Sequence, residues 1–334
     1  MKKITLTLLA LIFSFPASAV TLKIATVTPN GSQWMTDMRA SADEIKERTD
    51  GRVLIKYYGG GVKGDDSKVL GLIRIKQLQG GAFPPSALAA IYSDLNLYGM
   101  PLVFDSEEEA AFVRSRMDSK LQEGLEAAGF VSFGFATSGF ANVMSSEPVK
   151  TLGDMKGKRV WVPEGDDISY ASMKALSLNP VTLPLTDVLT GLQTGLIDIV
   201  AIPPIVALVL QWHTKVKYVT RVPLVYTLGY MAIDKKSFDK ISAEDQTIVR
   251  EVMSKTYESF DRVNLVDNQN AFEALLNSGI KQVDFDKEEY VKTRDLLLAS
   301  NLELGEKGEF TMALYQEMLG YIEQYRSEQV AAGE

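Results

Sequence analysis

The sequence contains no cysteine and only one histidine. Without cysteine the chain can form no disulfide, can use no thiol in catalysis, can offer no thiolate to zinc and cannot carry the lipid anchor of an exported lipoprotein. The single histidine, His213, would have to serve any Ser–His–Asp triad, but no G-x-S-x-G motif is present. We therefore favour a packing or hydrogen-bonding role for His213 beside Trp212. An exported hydrolase that uses His213 is the alternative from another functional class.

An apolar segment stands at the start of the chain, and no later segment approaches the length needed to span a bilayer. Lys2 and Lys3 precede an apolar stretch over residues 4–15, and the Ala-Ser-Ala tripeptide at 17–19 has the small-x-small pattern of a cleavage site. The apolar stretch is too short to span a bilayer. The sequence therefore predicts a cleavable signal peptide over residues 1–19 and export to the periplasm as a soluble chain that is not a lipoprotein.

A basic surface is also missing. The formal net charge is -8, and removal of Lys2 and Lys3 with the signal peptide lowers it by two, to -10. Acidic and basic residues are interspersed along the chain, with no basic stripe. Nucleic acid is therefore not an expected partner.

Strand patterns and amphipathic helix patterns alternate along the chain. Ser32, for example, follows the first strand pattern and is positioned to cap a helix that ends before Gly51. The predicted strands lie at 21–27, 52–58, 79–83, 130–136, 158–162, 181–184, 198–202 and 219–233. The main further helices are predicted at 66–77, 107–128, 167–176, 186–194 and 243–277. This order predicts an α/β fold with mixed, largely parallel sheets flanked by helices.

The chain is longer than a single hydrophobic core usually supports, so two lobes are expected. We assign residues 20–138 plus 227–266 to lobe I and residues 139–226 plus 267–334 to lobe II. The long C-terminal helix at 243–277 would brace both lobes.

A glycine-rich segment and two carboxylate pairs are the possible chemical motifs of the sequence. Residues 59–64 match the G-x-G-x-x-G pattern of dinucleotide-binding sites. Acidic residues follow it directly, however, and the acidic residue expected about twenty positions later in such a site is missing. A glycine turn is therefore favoured over a dinucleotide site. The pairs Asp65/Asp66 and Asp166/Asp167 could serve acid–base work or bind a cation. Acids near helix starts are more often first-turn residues that interact with the helix dipole, and this interpretation is preferred.

Two segments resemble the solute-binding subunits of tripartite ATP-independent periplasmic (TRAP) transporters, of the DctP type. Residues 152–163 read LGDMKGKRVWVP and resemble the start of the second lobe in that family, and residues 189–198 read LTGLQTGLID and resemble its helix-to-strand segment. The resemblance implies a two-lobed periplasmic binding protein that closes around a small ligand and delivers it to the permease subunits in the membrane. It implies no catalysis, no cofactor and no metal.

The sequence departs from the family where the ligand is held. Most members place an arginine in the strand before the Val-Pro step, and here that position is Trp161. Many carry an arginine after a Gly-Phe pair, and here Ala141 follows Phe140; asparagine often precedes a proline that here follows Ile202. A charge-assisted hydrogen bond contributes about 1.5–3 kcal/mol, and a buried unpaired carboxylate costs more. These departures from the family pattern therefore predict a hydrophobic or amphipathic ligand.

The candidate ligand-binding residues extend beyond these positions. They are Trp161, Ala141, Phe140, Ile202, Pro203, Pro163, Glu164, Trp34, Phe83, Trp212 and Tyr226. For each aromatic residue, ordinary core packing is the competing interpretation.

Three alternatives stay open for the function: a carboxylate receptor, the exported hydrolase that uses His213, and a sensory module, although no signalling segment is present. Arg159 precedes Trp161 by two residues on the same strand, so the two should share a face and Arg159, or backbone amides, could bind a carboxylate. Segments 161–166 and 210–220 resemble a TRAP branch that works with a tetratricopeptide-repeat periplasmic protein and is thought to handle hydrophobic ligands.

Overall fold

Two connected sheets organise the computed structural model, which describes residues 19–333. The predicted signal peptide lies outside the described residues, apart from Ala19. The strands are β1 (Val20–Ala25), β2 (Val53–Tyr58), β3 (Gly80–Phe83), β4 (Phe130–Ser132), β5 (Ala136–Ser145), β6 (Arg159–Pro163), β7 (Asn179–Leu183), β8 (Ile199–Ile202), β9 (Tyr218–Asp234) and β10 (Lys281–Asp284).

Eleven α-helices and four 3-10 segments cover the sheets in the described range. The α-helices are α1 (Gln33–Arg48), α2 (Asp66–Arg74), α3 (Pro85–Leu88), α4 (Glu107–Ala127), α5 (Asp167–Ala175), α6 (Val188–Thr194), α7 (Pro204–Val209), α8 (Lys235–Phe238), α9 (Ala243–Asn277), α10 (Lys287–Glu306) and α11 (Met312–Gly333). The 3-10 segments are Ser93–Gly99, Leu152–Met155, Leu185–Asp187 and Trp212–Lys215. None of the helices in residues 19–333 combines the length and the apolar composition needed to cross a membrane.

Local chemistry sets several of these boundaries. The Ser32 side chain accepts a hydrogen bond of 3.2 Å from the Met35 amide at the start of α1, as the sequence predicts. One predicted strand, at 130–136, is instead two strands. Gly134 separates β4 from β5 with a φ of 142°, which an L side chain rarely adopts.

Strands β5 and β9 connect the two lobes. The strand order is β2-β1-β3-β9-β5-β8-β6-β7, with β4 and β10 also paired to β9. The pairs β1–β2, β1–β3, β6–β7 and β6–β8 are parallel, whereas β9 runs antiparallel to β3, β4 and β5. The mixed sheets flanked by helices confirm the predicted two-lobed α/β class.

Helix α9 lies along both lobes. Its 35 residues correspond to about 50 Å of helix at 1.5 Å per residue. Val249 and Phe260 belong to the core around the first sheet, whereas Leu275 belongs to a core on the second sheet. The observed range equals the predicted 243–277, and the helix spans both cores as a brace would.

The last helix departs from the predicted lobe assignment. Helix α11 packs against α4, and its Tyr315 and Met318 are buried in the core of the first sheet. Arg326 of α11 also donates a 2.5 Å hydrogen bond from Nε to the buried Glu109 carboxylate of α4. The predicted lobe II includes residues 267–334. We now propose that lobe I also includes α11, because its apolar face is covered by α4.

Candidate functional site

A cavity of about 740 Å³ lies between the two lobes. Its volume is within the range typical of small-molecule sites, roughly 300–1,000 Å³. Lobe I contributes residues from β3, α2 and the C-terminal half of β9, and lobe II contributes residues from β5, β6, β8 and α7. The cavity is therefore walled by the strands that connect the lobes and by the strand ends of both sheets.

Nine of the eleven predicted ligand-binding residues line this cavity: Trp161, Ala141, Ile202, Pro203, Pro163, Glu164, Trp34, Phe83 and Tyr226. The three positions where the sequence departs from the TRAP pattern, Trp161, Ala141 and Ile202, are brought together from β6, β5 and β8. Each is buried. The wall formed by lobe II at these positions is apolar.

The indole of Trp161 is held firmly in that wall. Its Nε1 donates a 3.0 Å hydrogen bond to the Leu183 carbonyl, and its ring packs edge-on against Trp212 with centroids 5.1 Å apart. Trp161 is 5% exposed, so most of the indole packs within the lobe and only part of its surface faces the cavity. It is both a core residue and a wall residue.

Two predicted lining residues do not reach the cavity. Phe140 packs against Tyr226, with ring centroids 5.3 Å apart, on the side of β5 away from Ala141. Phe140 does not contribute to the lining, although its neighbour Ala141 on β5 does. Trp212 is 1% exposed and lies behind Trp161. For these two residues the prediction was wrong.

Arg159 is not a wall residue either. Its Nε and Nη2 donate hydrogen bonds of 2.8 Å each to the two carboxylate oxygens of Asp198, and the Arg159 amide donates another of 2.8 Å. The side chain is 46% exposed. Asp198 binds the Nε–Nη2 edge of the guanidinium, and Arg159 does not line the cavity. The expectation that Arg159 shares the Trp161 surface of the pocket is therefore corrected.

His213 lies away from the cavity in the last 3-10 segment. Its Nδ1 is 3.2 Å from the Ala207 carbonyl oxygen. This contact matches the hydrogen-bonding role preferred from the sequence. Among the described residues, no group of three or more histidine, aspartate and glutamate side chains is placed to hold a metal ion.

A buried polar network that the sequence did not reveal supports the wall from behind. Arg114 of α4 donates a 3.2 Å hydrogen bond to the Tyr226 hydroxyl, a 2.7 Å bond to Asp261, a 3.0 Å bond to Asp118 and a 2.8 Å bond to the Phe135 carbonyl. The network connects α4, α9 and the β5–β9 crossing. In the sequence, Arg114 has no visible signal, since it stands among other charged residues of an amphipathic helix.

The charged residues of the cavity lining are all acidic. The acids that contribute to the lining are Asp66, Glu164, Asp166, Asp167, Asp267 and Glu309, and no described lysine, arginine or histidine does so. Burial, with the nearby charges of Asp65 and Glu164, raises the pKa of Asp66 to about 7. Burial also raises the pKa of Asp166 above its ordinary value. A carboxylate entering this cavity would meet negative charge and no cation.

The carboxylate pairs behave partly as predicted. Asp65 and Asp166 cap helices α2 and α5, accepting 2.8 and 2.9 Å hydrogen bonds from the Lys68 and Ser169 amides. Asp66, the first residue of α2, also lines the cavity. The sequence identified its place at a helix start but not this second role.

The two lobes meet closely at Gly165. Its φ is +82°, and a Cβ there would lie 2.9 Å from the Ser86 carbonyl oxygen of the other lobe. We expect Gly165→Ala to hold the lobes apart and to weaken ligand retention about tenfold or more, because a backbone carbonyl cannot yield as a flexible side chain can. Ligand dissociation rates and small-angle X-ray scattering with bound ligand would measure this.

Gly157→Ala is the matched control. Gly157 has a φ of +77° but no atom within 4 Å of a built Cβ, so it shares the backbone cost without the interlobe clash. Equal retention in both variants would contradict the closure role of Gly165.

The chain matches a known family model and known proteins over most of its length. The model "Bacterial extracellular solute-binding protein, family 7", DctP, matches residues 24–302. The 2,3-diketo-L-gulonate-binding periplasmic protein YiaO of Escherichia coli is 23% identical over 74% of this chain and 76% of its own length. The C4-dicarboxylate-binding periplasmic protein DctP of Rhodobacter capsulatus is 24% identical over 90% of this chain and 92% of its own.

A solved structure gives the same fold. The sugar acid binding protein DctPAm from Advenella mimigardefordensis, in complex with galactonate, superposes with a TM-score of 0.84 at 19% identity, over 92% of this chain and 99% of that protein. The names of these three proteins all specify acidic ligands, whereas the cavity described above offers no cationic side chain from the described residues.

Proposed function

This chain belongs to family 7 of the bacterial extracellular solute-binding proteins, the DctP-type subunits of TRAP transporters, and we propose that its ligand is a hydrophobic or amphipathic small molecule. The ligand is captured between the lobes and passed to the permease subunits in the membrane. The observation that carries the proposal is the cavity wall: Trp161, Ala141 and Ile202 are apolar, and no basic side chain of the described residues lines the cavity.

The energetics of binding favour an uncharged or weakly polar ligand over an acid. Burying apolar surface stabilises a complex by about 25 cal/mol per Å². A buried carboxylate without a partner loses several kcal/mol of hydration. The acids Asp66 and Glu164 add repulsion for any anion at one end of the cavity. A sugar acid of the kind named for the relatives therefore lacks the cation that would compensate its desolvation.

The partners proposed for this chain follow from its family. A cleavable signal peptide at 1–19 would deliver it to the periplasm, where the TRAP permease subunits receive the ligand. A tetratricopeptide-repeat periplasmic protein is a further proposed partner, supported by the sequence resemblance of segments 161–166 and 210–220. The first of these segments lies along the cavity, because Trp161, Glu164 and Gly165 all contribute to its lining.

The proposal is tested by identifying what the protein binds. Mass spectrometry of organic extracts from the purified protein should recover an apolar or amphipathic compound. In a thermal-shift screen, 1-octanol should raise the melting temperature, whereas galactonate and succinate should not. A ligand that binds only the folded protein raises the free energy of unfolding, and the increase grows with the logarithm of the ratio of ligand concentration to Kd. A tight dicarboxylate or sugar acid ligand would overturn the proposal.

Arg159→Ala separates the proposal from the carboxylate alternative. The Arg159–Asp198 pair is largely exposed, so its loss should cost less than about 1 kcal/mol of unfolding free energy. Affinity for octanol should stay within about twofold of the unmodified protein, since the side chain lies outside the cavity. If Arg159→Ala instead abolished binding of an acid, the carboxylate alternative would replace the proposal.

A further inference from the structure

One end of the cavity carries an unpaired polar group. Tyr230 of β9 is 1% exposed and lines the cavity, yet its hydroxyl has no hydrogen-bond partner among the described residues. A buried hydroxyl without a partner costs roughly 1–3 kcal/mol of desolvation, so such groups are rare unless a ligand or water satisfies them. The hydroxyl is itself buried, so a ligand group that reached it through the cavity wall would supply its first hydrogen bond.

Asp66 faces the same end. It begins α2 and lines the cavity, and its carboxylate is absent from every ion pair formed by the described residues. Its negative charge contributes to raising the pKa of Tyr230, and Glu164 of the opposite lobe contributes to raising that of Asp66. Tyr230, Asp66 and Glu164 are therefore electrostatic neighbours, and together they form what we call the acidic end of the cavity.

The helix starts near this end do not offset its charge. The N-terminus of an α-helix carries about half a positive charge. Here α2 begins with Asp65 and Asp66, and α5 begins with Asp166 and Asp167. Two carboxyl groups at each start exceed the dipole charge, so an anion gains nothing there and a cation is attracted.

From this arrangement we propose that the acidic end binds a primary ammonium group, held by the Asp66 carboxylate and the Tyr230 hydroxyl, on a ligand whose remainder is apolar. The inference rests on the proposed function and sharpens it from an amphipathic ligand to an amphipathic amine. An ammonium has only donors, which suits a carboxylate and a phenol oxygen that both accept. The alkyl part then lies against the apolar wall formed by Trp161, Ala141 and Ile202.

Three probes that share one chain and differ in head group test the inference: octylamine, 1-octanol and octanoate. Calorimetry at about pH 8 measures them above the pKa of about 7 that burial gives Asp66, so that its carboxylate is mostly ionised. We expect octylamine to bind at least about tenfold tighter than octanol, and octanoate weakest, because a desolvated ion pair strengthens binding beyond a neutral hydrogen bond. Equal affinities for octylamine and octanol would overturn the inference and leave the proposed function standing. Failure of all three probes, or tight binding of octanoate alone, would overturn both.

Two variants locate the ammonium. Asp66→Asn keeps the size and removes the charge, so octylamine should lose about tenfold in affinity while octanol changes by less than about twofold. Tyr230→Phe should weaken octylamine by about threefold or more while leaving the melting temperature of the unliganded protein equal or higher, because it removes an unpaired buried hydroxyl. An unchanged preference for octylamine in both variants would overturn the assignment.

Asp43→Asn is the matched control. Asp43 is exposed on α1 and does not line the cavity. The change in net charge is the same as in Asp66→Asn. If Asp43→Asn weakened octylamine as much, the attraction would be a property of total charge, and the acidic end would not be the site.

Discussion

Replacing Trp161 with alanine is expected to lower the unfolding free energy by about 3–5 kcal/mol and the affinity for an apolar ligand by at least about tenfold. The stability loss follows from the packing against Trp212 and from the Nε1 hydrogen bond to Leu183, both of which disappear. The affinity loss follows from the part of the indole that faces the cavity. Covering that surface stabilises a bound ligand by about 25 cal/mol per Å².

Two further variants separate stability from binding. Trp161→Phe keeps an aromatic surface and loses the hydrogen bond to Leu183, so it should lose about 1–2 kcal/mol of stability and retain most of the affinity. Trp212→Phe alters the packing behind the wall without touching the cavity, and should reduce stability more than affinity. Urea unfolding and calorimetry with octanol measure the two quantities. If Trp161→Ala bound octanol as tightly as the unmodified protein, the indole would serve only the core.

Replacing Arg114 with leucine is expected to cost about 3–5 kcal/mol of unfolding free energy, the usual result of breaking a buried ion pair from one side. The change leaves Asp118 and Asp261 without their guanidinium and removes the donor to the Tyr226 hydroxyl and the Phe135 carbonyl. Because Tyr226 lines the cavity, we also expect weaker ligand binding. The exposed Arg116→Leu, on the same helix, should change stability by less than about 1 kcal/mol.

The Arg114→Leu deficit should depend on pH in a defined direction. Burial already raises the pKa of Asp118 above its ordinary value, and Arg114 opposes that rise. Without Arg114 the pKa of Asp118 in the folded protein rises further above its value in the unfolded chain. The folded protein therefore binds a proton that the unfolded chain does not. Stability is then lost as the pH rises from the unfolded pKa through the folded pKa. The deficit should be larger at about pH 8 than at about pH 5 in urea unfolding.

A second substitution checks this cause. Asp118→Asn in the Arg114→Leu background removes the uncompensated charge and should recover part of the loss, mainly at the higher pH. A deficit that is independent of pH and is not relieved by Asp118→Asn would mean that lost packing, not the unpaired carboxylate, dominates.

The sequence by itself determined the features that depend on neighbours along the chain. The Ser32 cap of α1, the Asp65 and Asp166 caps and the limits of α9 follow from residue preferences within a few positions. The apolar character of the wall was predictable as well, because Trp161, Ala141 and Ile202 occupy positions that the family resemblance placed at the ligand.

Only the tertiary structure decided which distant groups meet. Arg159 is paired with Asp198, 39 positions along the chain, and Arg114 with Asp261, 147 positions along the chain. The alternation of side chains along a strand predicts which face of the sheet a residue lies on, but not which residue it contacts there. For this reason the contacts of Phe140 and Trp212 and the packing of α11 against α4 were not foreseen from the sequence, and neither was the acidic end of the cavity. Local preferences act over one or two turns, whereas a cavity wall is assembled from segments that only folding brings into contact.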